Sequence, residues 1–332
     1  MRYLSTAFGV FAFAGLACVP QAAVADEGGV SFWLPGQYGS LAAAPGQPGW
    51  SFASIYYHTS VDASAGKDFR VGGGIQSGLN ARADMVILNS TYTFSTPVLG
   101  AQAALGLTGL IGRNNVGIDA TLTGPFGNTI SGSRSDSESG FGDLYPTASL
   151  KWNYGVHNLM TYVTGDIPVG AYNSTNLANL GIGHGAVDAG GGYTYFNPQT
   201  GHEFSAVSGF TYNFENTSTN YQNGIDFHVD WAASQFLSKQ VHVGVVGYFY
   251  DQLTGDSGTG ATLGDFKSRV AGIGPQIGFI FPVGNMQGYL NFKGYKEFDA
   301  QSRPEGWNAW VTFAISPTAA PPPAPQSQLV RK

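Results

Sequence analysis

The residues that come nearest to chemistry are Asp226, His228 and Asp230, which alternate along Ile225 to Trp231. A histidine between two carboxylates is general-base material, and Ser205 or Ser234 could be nominated as a nucleophile beside it. Spacing argues against that use. Side chains at i and i+2 of an extended chain project in parallel about 6.5–7 Å apart, beyond direct hydrogen-bond reach. The same three residues lack the tight geometry of a metal's ligand set, so neither a metal nor any other cofactor is expected. The glycine-rich pieces at 181–185 and 255–264 have no following helix and no lysine where a phosphate cradle needs one, so they read as loops. Catalysis is therefore not the expected role.

What positions these residues is a strand. In 221–237, Ile225, Phe227, Val229, Trp231 and Ala233 face one way, while Asp226, His228, Asp230 and Ser234 face the other. Side chains alternate across a strand, so one face is apolar and the other polar. The same division recurs in 141–154, 202–215 and 285–298. These spans run to ten residues or more, the length that crosses a bilayer obliquely and longer than typical soluble strands.

Composition agrees. The 332 residues are 43% hydrophobic and 14% aromatic but only 11% charged, with 48 glycines. Soluble domains carry about 25% charged residues. No apolar run beyond the first twenty-five or so residues approaches the roughly 20 that a membrane helix needs. A transmembrane β-barrel hides its hydrophobicity in alternation, so the chain is expected to be all-β, an antiparallel up-and-down barrel. Closure follows because unpaired edge groups in hydrocarbon cost several kcal/mol each. With a formal net charge of −6, the chain lacks the clustered cations that nucleic-acid binding requires.

The alternation places twelve strands near 50–60, 82–95, 100–112, 141–154, 157–168, 187–197, 202–215, 222–237, 240–252, 267–282, 285–298 and 306–316. Asn114 to Thr123 could extend a strand or add one, which leaves fourteen as the alternative count. Five short connections alternate with six longer ones at 61–81, 113–140, 169–186, 216–221, 253–266 and 299–305. Short periplasmic turns, longer outer loops and periplasmic termini are the expected arrangement. Trp50, Tyr92, Phe94, Trp152, Tyr154, Phe279, Phe281, Trp307 and Trp310 cluster near strand ends and suit interfacial girdles.

Residues 1–25 read as a secretory signal peptide: Arg2, an apolar stretch from Ala7 to Ala17, and Ala23-Val24-Ala25 for cleavage. Cleavage there removes Cys18, the only cysteine. Residues 26–49 form an arm with three prolines and no alternation. Its Phe32, Trp33 and Leu34 would sit poorly in water, so they are expected to plug the lumen or its periplasmic mouth, with a flexible leader as the other reading. The barrel occupies 50–316, and the proline-rich tail 317–332 is expected to be periplasmic and extended.

Twelve strands give a backbone cylinder about 24 Å across with about 10 Å left inside. The polar faces put Asp143, Lys151, Glu203, Glu215, Asp226, His228, Asp230, His242, Gln276, Asn291, Lys293 and Glu297 on the inner wall, with Tyr248, Tyr250, Tyr289 and Tyr295 as aromatic wall candidates. Such groups either set selectivity or form a cross-lumen network that holds the barrel rigid.

Three stretches carry a resemblance: Ser31 to Trp50, Asn220 to Trp231, and Gly244 to Phe279, the last including Tyr250-Asp251-Gln252, Asp256-Ser257-Gly258 and Gly274-Pro275-Gln276. Together they resemble the outer-membrane protein family named for the meta-cleavage pathway of phenol degradation. The resemblance implies an outer-membrane barrel of a Gram-negative bacterium, described as a transporter, and brings no established functional residues. The resulting expectation is a monomeric outer-membrane channel, in contact with lipid, for passive uptake of small hydrophobic or aromatic solutes. A closed structural or adhesive barrel is the alternative, and an outer-membrane hydrolase the third.

Overall fold

The computed structural model of the chain describes residues 31–69, 73–123, 128–261 and 267–318. The signal peptide, arm residues 26–30 and all but two residues of the proline-rich tail lie outside these.

Twelve strands close into one antiparallel barrel in which each strand pairs with its sequence neighbours and β1 pairs with β12. They are β1 Gly49–Phe69, β2 Gly73–Thr93, β3 Gln102–Thr123, β4 Thr129–Tyr154, β5 His157–Gly165, β6 Ala186–Phe196, β7 His202–Asn213, β8 Asp226–Phe236, β9 Val241–Gln252, β10 Arg269–Val283, β11 Met286–Gln301 and β12 Glu305–Pro317. Closure satisfies every ladder without an edge in the spanning region. Fourteen strands are excluded, because Asn114 to Thr123 extends β3.

The expected loops at 61–81 and 113–140 are corrected. They are mostly strand: β1 to β4 are 21, 21, 22 and 26 residues long and rise as a four-stranded extension beyond the rest of the barrel. Both faces of the outer half of β4 meet water, so this run, Ser-Gly-Ser-Arg-Ser-Asp-Ser-Glu, shows no apolar alternation for a sequence reading to find. β1 pairs with β12 only as far as Asp62↔Glu305.

The outward face of the spanning region is apolar: Phe52, Leu88, Leu105, Phe204, Phe210, Phe292 and Phe313 are exposed. At the end of the barrel where the arm enters, Trp50 packs on Tyr92 and Tyr92 on Phe94, with ring centroids 5.2 and 5.1 Å apart. Trp310 does not belong to a girdle. It points inward, 2% exposed, donates Nε1–H to Asn308, and packs on Tyr57.

The core is the filled lumen. A β-bulge sets two residues of β4, Gly142 and Asp143, against Leu110 of β3, since the register steps from Gly109↔Leu144 to Ile111↔Phe141. This bulge lies where Asp143 meets the long connection 166–185 between β5 and β6. Asp143 accepts the backbone N–H groups of Gly170 and Ile182 at 2.7 and 2.8 Å, which draws that connection over the lumen.

Candidate functional site: the docked arm and the conduit beside it

The arm lies inside the barrel. Its first turn is Leu34-Pro35-Gly36-Gln37, closed by Gln37 N–H to Leu34 O at 3.3 Å. Proline suits the second position of a type II turn and glycine the third, where φ is positive; Gly36 has φ +88°. A side chain there would also collide, because a Cβ on Gly36 falls 2.9 and 3.0 Å from the rings of Tyr295 and Tyr248.

The turn is held between an anion and a cation. Asp230 accepts the N–H groups of Gly36 and Tyr38 at 2.8 and 3.0 Å. Lys293 donates to the carbonyls of Gly36, Gln37 and Tyr38, and the Tyr295 hydroxyl donates to Gly36 O at 3.1 Å. A segment without regular structure must find partners for its backbone groups when buried, and here the barrel wall supplies them. Further along, Glu203 accepts Leu41 N–H, Thr194 accepts Ala43 N–H, and Lys151 donates to Ala42 O and Ala44 O. Ser40 meets Ser234 at 2.8 Å and accepts from Gln276 at 2.8 Å. Burial, followed by the nearby carboxylates of Asp230 and Asp188, holds the Tyr38 phenol well above its ordinary range.

Trp33 stacks on His228 with ring centroids 3.5 Å apart. His228 Nε2 meets Asp188 Oδ2 at 2.9 Å, and Asp188 also accepts from Tyr162 and Thr211, each at 2.7 Å. Glycines make that convergence feasible: a Cβ on Gly209 would fall 2.3 Å from the Tyr162 hydroxyl and 2.9 Å from His228 Nε2. Asp226 accepts instead from Asn213, so Asp226, His228 and Asp230 have three separate sets of partners. The two serines nominated as nucleophiles also bond elsewhere, Ser205 to Glu203 and Thr194, Ser234 to Ser40 and Gln276.

The remaining inner-wall candidates divide. Glu297 accepts Tyr248 O–H at 2.7 Å and Gly306 N–H at 2.8 Å, tying β11 to β9 and β12. Tyr248, Tyr250 and Tyr295 are buried in the lumen, and Tyr289 meets His242 Nε2 at 3.1 Å. Glu215 falls beyond the end of β7 and is exposed, so it is not on the wall: the alternation that placed it there stops at Asn213. Asp188 was not found from sequence because Gly190-Gly191-Gly192 interrupts the apolar face of its strand. Tyr162 and Thr194 went unread for want of charge.

The clamps come mostly from β6 to β11, so the arm lies against one half of the barrel. Along the other half a cavity of about 450 Å³ remains. Its wall is formed by the inward alternate residues Ser51, Ala53 and Ile55 of β1, Ile87, Asn89, Thr91 and Thr93 of β2, Gln102, Ala104, Thr108 and Leu110 of β3, Tyr145, Thr147, Ser149 and Lys151 of β4, and by the arm's own Phe32, Trp33, Leu34 and Tyr38. Threonine, serine and asparagine alternate there with aliphatic and aromatic groups. One step further from the arm end, Tyr57, Met85, Leu110, Leu180 and Trp310 join one buried apolar cluster, against which Leu34, Ile55 and Tyr145 pack. Phe32 meets Ile182 and Ala186 in a second cluster. The arm and the connection 166–185 thus bar the lumen together.

A closed twelve-stranded barrel with an apolar outer belt and a plugged lumen is the architecture of an outer-membrane barrel. The chain belongs to the family described as "Putative MetA-pathway of phenol degradation", which matches residues 64–313. Among solved structures it is similar to the COG4313 outer membrane channel from Pseudomonas putida F1, with a TM-score of 0.63 and 15% identity over 82% of this chain and 97% of that one. A Pseudomonas aeruginosa FadL homologue matches with a TM-score of 0.37 and 6% identity over 80% of this chain and 89% of that one. No curated protein matches the chain.

Proposed function

We propose that the protein is a monomeric outer-membrane channel for passive uptake of small hydrophobic or aromatic solutes, with arm residues 31–48 as its plug. The observation that carries this reading is the cavity beside the docked arm. Its aliphatic and aromatic walls suit a compact apolar body, and its neutral polar groups can accept or donate single hydrogen bonds. The solved barrel of similar fold is described as an outer membrane channel, and the family name points to phenol degradation; both agree with this reading. The arm end then faces the periplasm, the apolar belt faces lipid, and solutes enter from the side of the β1–β4 extension.

A closed structural barrel is the second reading, favoured by the apolar cluster that bars the lumen. Planar-bilayer recording separates the two. A channel gives discrete conductance steps that grow when 31–48 is deleted, whereas a barrel silent both with and without the arm would be structural.

A further inference from the structure

Among the described residues, Lys151 is the one charged side chain on the wall of the 450 Å³ cavity. Its Nζ donates to Ala42 O at 2.8 Å and Ala44 O at 3.3 Å, and an ammonium carries three donors. Among the described residues no carboxylate lies within ion-pair distance of it. The lumen's acids are bound elsewhere: Asp143 to Gly170 and Ile182, Glu203 to Leu41 and Ser205, and Asp230 to the arm's turn. A cation compensated only by carbonyls, in a cavity whose described lining holds no acid, leaves that end positive.

The surroundings specify more. Gln102 is the cross-strand partner of Lys151, and Ser149 lies one inward position away; both line the cavity. From this polar end the wall turns apolar towards Ile55, Ile87, Leu110 and Trp310. We propose that the cavity binds small aromatic monocarboxylates, the carboxylate on Lys151 Nζ beside Gln102 and Ser149, the ring against the apolar wall. This rests on the channel reading above and names its solute class. A charge-assisted bond in a partly dry site separates such an anion from its neutral analogue by about tenfold or more in affinity.

The test is calorimetric binding of benzoate, benzyl alcohol and benzylammonium to the refolded full barrel, since one ring then carries three charge states. Benzoate is expected to bind at least tenfold more tightly than the other two. Lys151→Arg keeps that preference and Lys151→Gln loses it. Lys151 also holds the arm, so Gln102→Glu supplies a second variant: it keeps Lys151 in place but sets a carboxylate opposite it, and it too should abolish the preference. Equal binding of the three probes, binding of none, or a benzoate preference that survives Gln102→Glu overturns the proposal. Conductance in potassium chloride alone is recorded in parallel. If it persists while the benzoate preference is absent, the anion site fails and the channel stands; if it too is missing, the channel reading fails on its own account.

Discussion

Replacing Asp230 by asparagine should release the arm. In the wild type one carboxylate accepts two arm N–H groups, from Gly36 and Tyr38, at 2.8 and 3.0 Å. Asparagine has nearly the same shape but only one oxygen, so one N–H is accepted by a neutral group and the other faces an NH₂ donor. Hydrogen bonds to a charged acceptor contribute about 1.5–3 kcal/mol each and neutral ones about 1 kcal/mol. The first bond therefore weakens by about 1 kcal/mol and the second is lost, a change of about 2–3 kcal/mol in docking. At 1.4 kcal/mol per decade the undocked population rises roughly 30- to 150-fold. The assay is maleimide labelling of Ala43→Cys in a chain whose natural cysteine, Cys18, is absent. Ala43 is fully buried between the arm and the wall, away from the cavity lining, and reacts only when the arm leaves. A labelling rate within threefold of the Asp230 parent, in a barrel shown to be folded by heat-modified gel mobility, would refute the reasoning: the arm would then be held by its apolar contacts alone.

Gly36→Ala should undock the same turn, because its φ of +88° and the Tyr295 and Tyr248 rings leave no room for a methyl group; the same labelling reads it. Ala104→Trp fills the cavity from the β3 wall without touching an arm contact, and should cut single-channel conductance at least severalfold while labelling stays unchanged. Asp166, just past the end of β5, is pushed up to about 8 by burial and then by Asp143. The folded state then holds its proton across pH 4 to 8 where the unfolded chain does not, so stability of the connection 166–185 falls as pH rises through that window. Limited proteolysis of this connection should accelerate from pH 5 to 8 in the wild type and stay flat in Asp166→Asn.

The barrel was legible wherever lipid imposes one apolar face. β7, β8 and β11 alternate cleanly because their outward residues meet hydrocarbon and their inward ones a polar lumen. The outer half of β4 meets water on both sides and carries no such signal, so in sequence it reads as a loop. The site was legible in its charges but not in its partners. Asp230, Lys293, Glu203 and Lys151 stood out as inward-facing ions, yet nothing in a linear sequence pairs Asp230 with Gly36 across 194 positions. Asp188 was hidden by glycines that its own network requires.

These partners alter what the charged wall does. Had Asp230, Lys293 and Glu203 lined open water, they would form a transverse field suited to sorting ions. Each instead engages the arm's backbone, so their charges are compensated by peptide dipoles and withdrawn from the passage. The parts of β1 to β5 that line the remaining space carry a single charge, Lys151. A wall of threonine, serine, isoleucine and tryptophan desolvates an ion poorly but accommodates an apolar ring at little cost, since only charged and unpaired polar groups carry a large penalty on leaving water. If the proposed channel function holds, this segregation of ionic clamps to one half of the barrel and neutral groups to the other is what suits it to hydrophobic solutes, and among the described residues Lys151 is the one charge on the cavity wall.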